Sequence, residues 1–212
     1  NGGYYMKVLL FNGSPKAKGC TYTVLSEIAK TLEENGVEAE IIHVGGHVSA
    51  GCLGCGYCAK NGKCINDKDI LNSVVDKVKE ADGYVFGSPV HYAAASGDIT
   101  AFLDRLFYSQ GGYMAYKPGC AVCTCRRGGA TATFEQLNKY FTINNMPVVS
   151  SNYWNMAHGN TPEEVMQDKE GMQIMRGLGR NMAWMLKCIE AGKAAGVPMP
   201  EKEAKIKTNF IR

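Results

Sequence analysis

Short unbroken apolar runs alternate with helical periodicity along this chain, and that alternation limits the fold more than any other feature. Val8-Leu-Leu-Phe11 reads as a buried strand. Thr21 to Glu34 then carries Val24, Leu25, Ile28, Ala29 and Leu32 at helical spacing and stops at Asn35-Gly36. Glu40 to Val44 is a second strand. Asp67 is expected to cap a helix through Lys79, with Ile70, Leu71, Val74, Val75 and Val78 on one face. Gly83 to Gly87 is a third strand, Ala101 to Phe107 part of a third helix, Gly119 to Cys125 a fourth strand and Thr131 to Tyr140 a fourth helix. A short fifth strand is expected over Met146 to Ser150, and Pro162 opens a last long helical stretch ending near Gly196. Five strands joined by crossover helices predict an α/β fold with a parallel sheet covered on both faces. Residues 6–196 read as one domain, interrupted by an irregular segment at about 45–66 and followed by a Lys- and Glu-rich tail over 197–212. Met6, directly before the first strand, is the expected natural start.

Composition removes several function classes. Of 212 residues, 45% are hydrophobic, which supports a sizeable core. The net charge of +3 comes with no basic block, so neither nucleic-acid binding nor a polybasic membrane anchor is expected. No apolar run approaches the roughly 18–20 residues of a membrane span. The absence of a signal-peptide pattern predicts a cytoplasmic, reducing setting, where nine cysteines read as thiols or ligands and not as disulfides.

The irregular segment holds Cys52-Leu-Gly-Cys55-Gly-Tyr-Cys58, and Cys64 follows, four thiols in thirteen positions. Four soft ligands in so short a run suit a cubane iron–sulfur cluster. The first three follow the ferredoxin spacing, but Cys64 lies farther on than the ferredoxin fourth cysteine, so it would have to close the same cluster. Structural zinc normally pairs its C-x2-C knuckles across a longer gap, and disulfides between residues three apart would be strained. Leftover thiols in a relative that has lost its cluster remain the alternative.

A second chemical segment follows the first strand: Phe11-Asn-Gly-Ser14-Pro15-Lys16-Ala-Lys18-Gly19-Cys20-Thr21-Tyr22-Thr23. Its small and hydroxyl residues place amides at a helix N-terminus, an anion site, although an ordinary capping loop has a similar composition. Neither a Walker loop nor a G-x-G-x-x-G fingerprint occurs. Strand three ends in Gly87-Ser-Pro89-Val90-His91-Tyr92 and strand four in Arg126-Arg127-Gly128-Gly129. In a flavodoxin-like order 2-1-3-4-5, such loops meet at the β1/β3 switch point where FMN binds.

With these motifs, together with Ala81-Asp82-Gly83, the chain resembles the NADPH-dependent FMN reductase family of the flavodoxin superfamily. The C-x2-C-x2-C-x5-C segment resembles its iron–sulfur flavoprotein branch. The resemblance covers about Met6 to Ser151 and implies a three-layer flavodoxin-like α/β/α fold with a five-stranded parallel sheet, order 2-1-3-4-5. It also implies tightly held FMN, a possible [4Fe–4S] cluster on Cys52, Cys55, Cys58 and Cys64, and NAD(P)H as a transient donor. Carried over by position, Ser14, Lys16, Cys20, Thr21, Tyr22 and Thr23 would cradle the FMN phosphate. Pro89, Val90, His91 and Tyr92 would run beside the ring and ribityl chain, and Arg126, Arg127, Gly128 and Gly129 would line the pyrimidine side. The implied function is that of an FMN-dependent NAD(P)H oxidoreductase, a flavin- or quinone-reductase type or an iron–sulfur flavoprotein, passing electrons between a small-molecule or protein donor and an acceptor through FMN. A non-catalytic carrier or redox sensor is the alternative.

The remaining residues carry less. Cys120, Cys123 and Cys125 read as small packing residues on a strand, and Cys188 as core of the last helix. His91 is a candidate for ring contact or proton handling, His43 reads as structural, and Asp104-Arg105 as a surface or interface pair, not a catalytic one. Tyr108, Tyr113, Met114 and Tyr116 are expected to wall the flavin at a subunit boundary in a homodimer or homotetramer. No Ser-His-Asp set, paired-carboxylate site or H-E-x-x-H stands in the chain, so no catalytic side chain is assigned.

Overall fold

A computed structural model describes residues 6–201 and 203–210. Residues 1–5, before the expected start at Met6, lie outside the described residues, as do 202 and 211–212 of the tail. Five parallel strands form the sheet: β1 (Lys7–Asn12), β2 (Glu38–His43), β3 (Gly83–His91), β5 (Gly119–Cys125) and β6 (Met156–His158). They stand in the order β2-β1-β3-β5-β6, and a two-residue strand β4 (Ala94–Ala95) folds back antiparallel on the end of β3. Counting the parallel strands alone, this is the expected 2-1-3-4-5 order.

Strand alternation sorts the core into two layers. Val8, Leu10, Val85, Cys120 and Val122 face helices α1 (Cys20–Glu34) and α7 (Lys169–Ala194). Leu9, Phe11, Tyr84, Phe86 and Ala121 face α3 (Val75–Glu80), α4 (Gly97–Met114) and α5 (Ala130–Thr142). An aromatic cluster fills the second layer: Phe86 stacks on Phe141 at 5.0 Å, and Phe11 contacts Phe86 and Phe102 at 5.5 and 5.4 Å. The Phe141 ring sits where a side chain on Gly119 would be, since a Cβ there would come 2.5 Å from it. In the first layer, Gly179 lets α7 press against α1; a Cβ would meet Thr31 at 2.8 Å.

Three expected elements differ. The fifth strand is split: Val148 makes a single bridge to Gly119, and the ladder resumes only at Met156–His158 beside Cys123–Cys125. Between the two pieces the chain leaves the sheet, and Asn155 fastens it by donating to Ala121 O at 3.1 Å. The helix expected from Asp67 begins late, as a 3-10 turn at Asn72–Val74 leading into α3, and it is Asp69 that accepts the Leu71 amide. The last helical stretch breaks at Asp168, which ends α6 (Pro162–Gln167) and caps α7 through Gly171 N at 2.9 Å. Its other oxygen takes the His158 amide at 2.7 Å, tying the break to β6. Cys188, expected in the core, is exposed on α7.

The β3–β4 hairpin turns through Tyr92 and Ala93, whose φ angles of 49° and 60° are both left-handed. Such turns ordinarily use Asn-Gly, and a side chain in this region costs about 1–2 kcal/mol. Ala93→Gly is therefore expected to raise stability by about 0.5–1 kcal/mol after the entropy of glycine is counted. Thermal unfolding checks this, and a lowered midpoint would show that the Ala93 methyl contributes more in packing than its backbone costs.

Candidate functional site

Two constellations stand at the carboxyl ends of the strands. The first is the loop from Gly13 to Gly19, between β1 and α1. Its base is pinned from three sides: Gly13 N donates to Gly87 O at 2.8 Å, Ser96 Oγ to Gly13 O at 2.7 Å, and His43 Nε2 to Ser14 O at 2.8 Å. Within it, Asn12 Oδ1 accepts from Ser14 N at 3.1 Å and Ser14 Oγ from Lys16 N at 3.2 Å. Gly19, at the N-cap of α1, supplies no side-chain cap, which leaves first-turn amides free for an anion. Ser14 is buried, Lys16 exposed, and Cys20, Tyr22 and Thr23 are half-buried. Thr21 is 1% exposed, and its hydroxyl pairs with that of Thr124 on β5 at 3.0 Å.

The other two loops meet beside this one. Gly129, at φ 94°, touches the β3–β4 hairpin so closely that a Cβ would stand 2.6 Å from Ala93 Cα and 2.8 Å from Val90. Pro89 and Val90 are half-buried, while His91, Tyr92, Arg126, Arg127 and Gly128 are exposed. Gly129 leaves the start of α5 without a side-chain cap as well.

The second constellation is the cysteine loop. Gly54, Gly56 and Gly62 take φ angles of 63°, 70° and 65°, so the backbone turns left-handed three times around the short helix α2 (Tyr57–Asn61). Cys52, Cys55, Cys58 and Cys64 thereby line one cavity of about 140 Å³, with Ile65, Arg105 and Tyr108 on its wall. All four are free thiols. Gly54 N donates to Cys52 Sγ at 3.5 Å, and Arg105 Nε to Cys64 Sγ at 3.3 Å. Among the described residues, no three His, Cys, Asp or Glu side chains gather closely enough for a single metal ion. The sulfurs ring a space and do not meet at a point.

Arg105 does not belong to a surface pair. It is 2% exposed and holds Asp69 through both terminal nitrogens, at 2.5 and 3.1 Å. Burial pushes the Asp69 carboxyl up, but Arg105 and the hydrogen bonds from Ser49 and Leu71 outweigh it and hold the group at about 2. Asp104 instead accepts from Tyr140 Oη at 2.6 Å.

The family model for NADPH-dependent FMN reductases matches residues 6–161. The chain belongs to that family. An iron–sulfur flavoprotein of Methanocaldococcus jannaschii is 33% identical over 195 residues, spanning 87% of this chain and 100% of the relative. An iron–sulfur flavoprotein of Archaeoglobus fulgidus is 30% identical over 190 residues, 84% of this chain and 96% of its own length. These matches place the chain in the iron–sulfur flavoprotein branch. The structure of RosB with bound 8-demethyl-8-formylriboflavin-5′-phosphate superposes with a TM-score of 0.67 at 15% identity, covering 97% of this chain and 92% of that one. That likeness shows the flavodoxin-like fold. As a member of the FMN reductase family the chain is an FMN-dependent oxidoreductase.

In this FMN reductase relative, the wall expected from Tyr108, Tyr113, Met114 and Tyr116 does not form as one surface. Met114 is fully buried in the core, the Tyr116 amide bonds Asn145 O at 2.9 Å, and Tyr113 lies under Lys79. Only Tyr108 reaches a candidate site, and that is the cysteine cavity. Cys120, Cys123 and Cys125 are buried, and burial pushes the Cys123 thiol up to about 12, which keeps it protonated and inert. No helix among the described residues is long and apolar enough to cross a membrane.

Proposed function

We propose that the chain passes electrons between a reduced donor, NAD(P)H or a protein carrier, and an acceptor, through FMN at the β1/β3 switch point and a [4Fe–4S] cluster in the cysteine loop. The observation that carries this reading is the four free thiols lining one cavity beside α4. Bound FMN supplies the two-electron chemistry, and a thiolate-held cluster supplies single-electron steps. The chain's own residues orient and hold. Ser14, Lys16, Thr23 and the amides of Cys20, Thr21 and Tyr22 face the phosphate. Pro89, Val90, His91 and Tyr92 would hold the ring and ribityl chain, and Arg126, Arg127, Gly128 and Gly129 the pyrimidine side. No side-chain nucleophile is required, because the protein's role is orientation, charge and control of water. The working unit is a single domain over 6–196, cytoplasmic, as a homodimer or homotetramer.

Gly45 offers a local test of the phosphate loop. A Cβ there would stand 2.1 Å from Ser14 O and 2.7 Å from Pro15 N, both backbone atoms. Gly45→Ala should push the loop off its seat at a cost of about 1–3 kcal/mol, weakening FMN roughly 10- to 100-fold. Isothermal titration of flavin-free protein measures it, and unchanged affinity would take the phosphate away from this loop.

The functional reading is tested by acid release of the flavin and steady-state turnover. About one FMN per chain is expected, together with oxidation of NADH or NADPH in the presence of free flavin, quinone or oxygen. FAD as the main flavin contradicts it, and no turnover with either nucleotide rules out NAD(P)H and leaves a protein carrier as the donor.

A further inference from the structure

The sulfur-lined cavity has one wall that belongs to the core of the domain and not to the cysteine loop. Arg105 projects from α4 with all its donors engaged: Nε to Cys64 Sγ at 3.3 Å, Nη1 to Ala50 O at 3.2 Å and Asp69, and Nη2 to Asn66 O at 3.0 Å and Asp69. Ala50 and Asn66 are the entry and exit of the loop, so one guanidinium closes the loop and touches a ligand sulfur. Asn72 fixes the same residue from the other side, accepting from Cys64 N at 3.0 Å and donating to Cys64 O at 2.9 Å.

We propose that Arg105 is the positioning residue of the cluster site: it fixes Cys64 as the closing ligand and raises the cluster's reduction potential. The proposal rests on the cluster reading above. Loop closure alone needs the contacts to Ala50, Asn66 and Asp69, and the Nε–H to sulfur adds nothing to it. That bond is charge-assisted and part-buried, hence stronger than the exposed, neutral amide bond that Cys52 receives from Gly54. Asp69 occupies the end of the guanidinium fork while Nε faces the sulfur, so the positive edge points at Cys64. Adding one electron makes the cluster and its thiolates more negative by one charge, and a fixed cation against one sulfur favours that state. The fourth cysteine of the run, set apart from the other three by its longer spacing, is thus the one tied to the core.

Three chains decide it: wild type, Arg105→Lys, and Arg105→Met combined with Asp69→Asn, which removes the pair without leaving a buried charge. Each is reconstituted anaerobically with iron and sulfide, then assayed for iron, FMN and the midpoint potential of the cluster by electron paramagnetic resonance. Both variants should keep FMN, release iron to a chelator faster than wild type, and show a more negative midpoint, the double variant more so. Variants that keep FMN yet take up no iron also support the proposal. A midpoint equal to wild type at equal iron content overturns it, as does joint loss of iron and FMN, which would make Arg105 a general fold residue. A wild-type chain that takes up no iron brings down the cluster reading and this proposal with it, a result read in the wild-type arm alone.

Discussion

Arg105→Met alone should cost about 3–5 kcal/mol, because it leaves the Asp69 carboxylate buried without its partner. The Asp69 side chain is 3% exposed and that of Arg105 1%, so water cannot take over the lost role. For a chain of this size the melting temperature should fall on the order of 10 °C. The loss depends on pH in a fixed sense. Asp69 is held at about 2, below its ordinary 3.8, so its contribution is complete above about pH 5 and drains away as pH falls from 3.8 toward 2. The difference between wild type and variant should therefore narrow below pH 4. Urea unfolding at pH 7 and pH 3 measures both, and a variant within 1 kcal/mol of wild type at pH 7 would contradict the role given to the pair.

Changing any one of Cys52, Cys55, Cys58 or Cys64 to Ser should remove most of the iron from anaerobically reconstituted protein and leave FMN bound. A cubane takes one thiolate per iron, and serine is a poor soft ligand. The flavin survives because its phosphate loop is anchored elsewhere, on Gly87, Ser96 and His43. Cys120→Ser and Cys188→Ser should leave the iron unchanged, since one thiol is buried in the sheet and the other exposed on α7, away from the cavity. Equal iron in all six variants would remove the loop from metal chemistry.

The parallel sheet was legible because its central strands are continuous apolar runs. Gly119–Cys125 could be bounded to the residue, and α1 to within one. The sheet's edge was not legible. Pro147-Val-Val is apolar enough to suggest a strand, yet it makes a single bridge while Met156–His158, with only Ala157 fully buried, completes the ladder. Pairing at an edge depends on where the chain re-enters, which local pattern does not record.

The gathering of the four thiols was legible, since their spacing is local. Their anchor was not. Arg105 next to Asp104 looks like any exposed charged pair on a helix, and its partner Asp69 lies 36 residues earlier, where the sequence reads as the ordinary first turn of another helix. A weak signal existed: Arg105 sits three residues after Phe102 and one before Leu106, inside the apolar stripe of α4. Nor was the inward partner of Thr21 legible: its hydroxyl pairs with that of Thr124, 103 residues on in β5.

The most direct test of the central claim is a joint count of iron and flavin on wild-type protein reconstituted and kept without oxygen. About four iron atoms and one FMN per chain are expected, with flavin bands riding on broad cluster absorption. Full FMN with no iron would contradict it, leaving an FMN reductase with a relic cysteine loop.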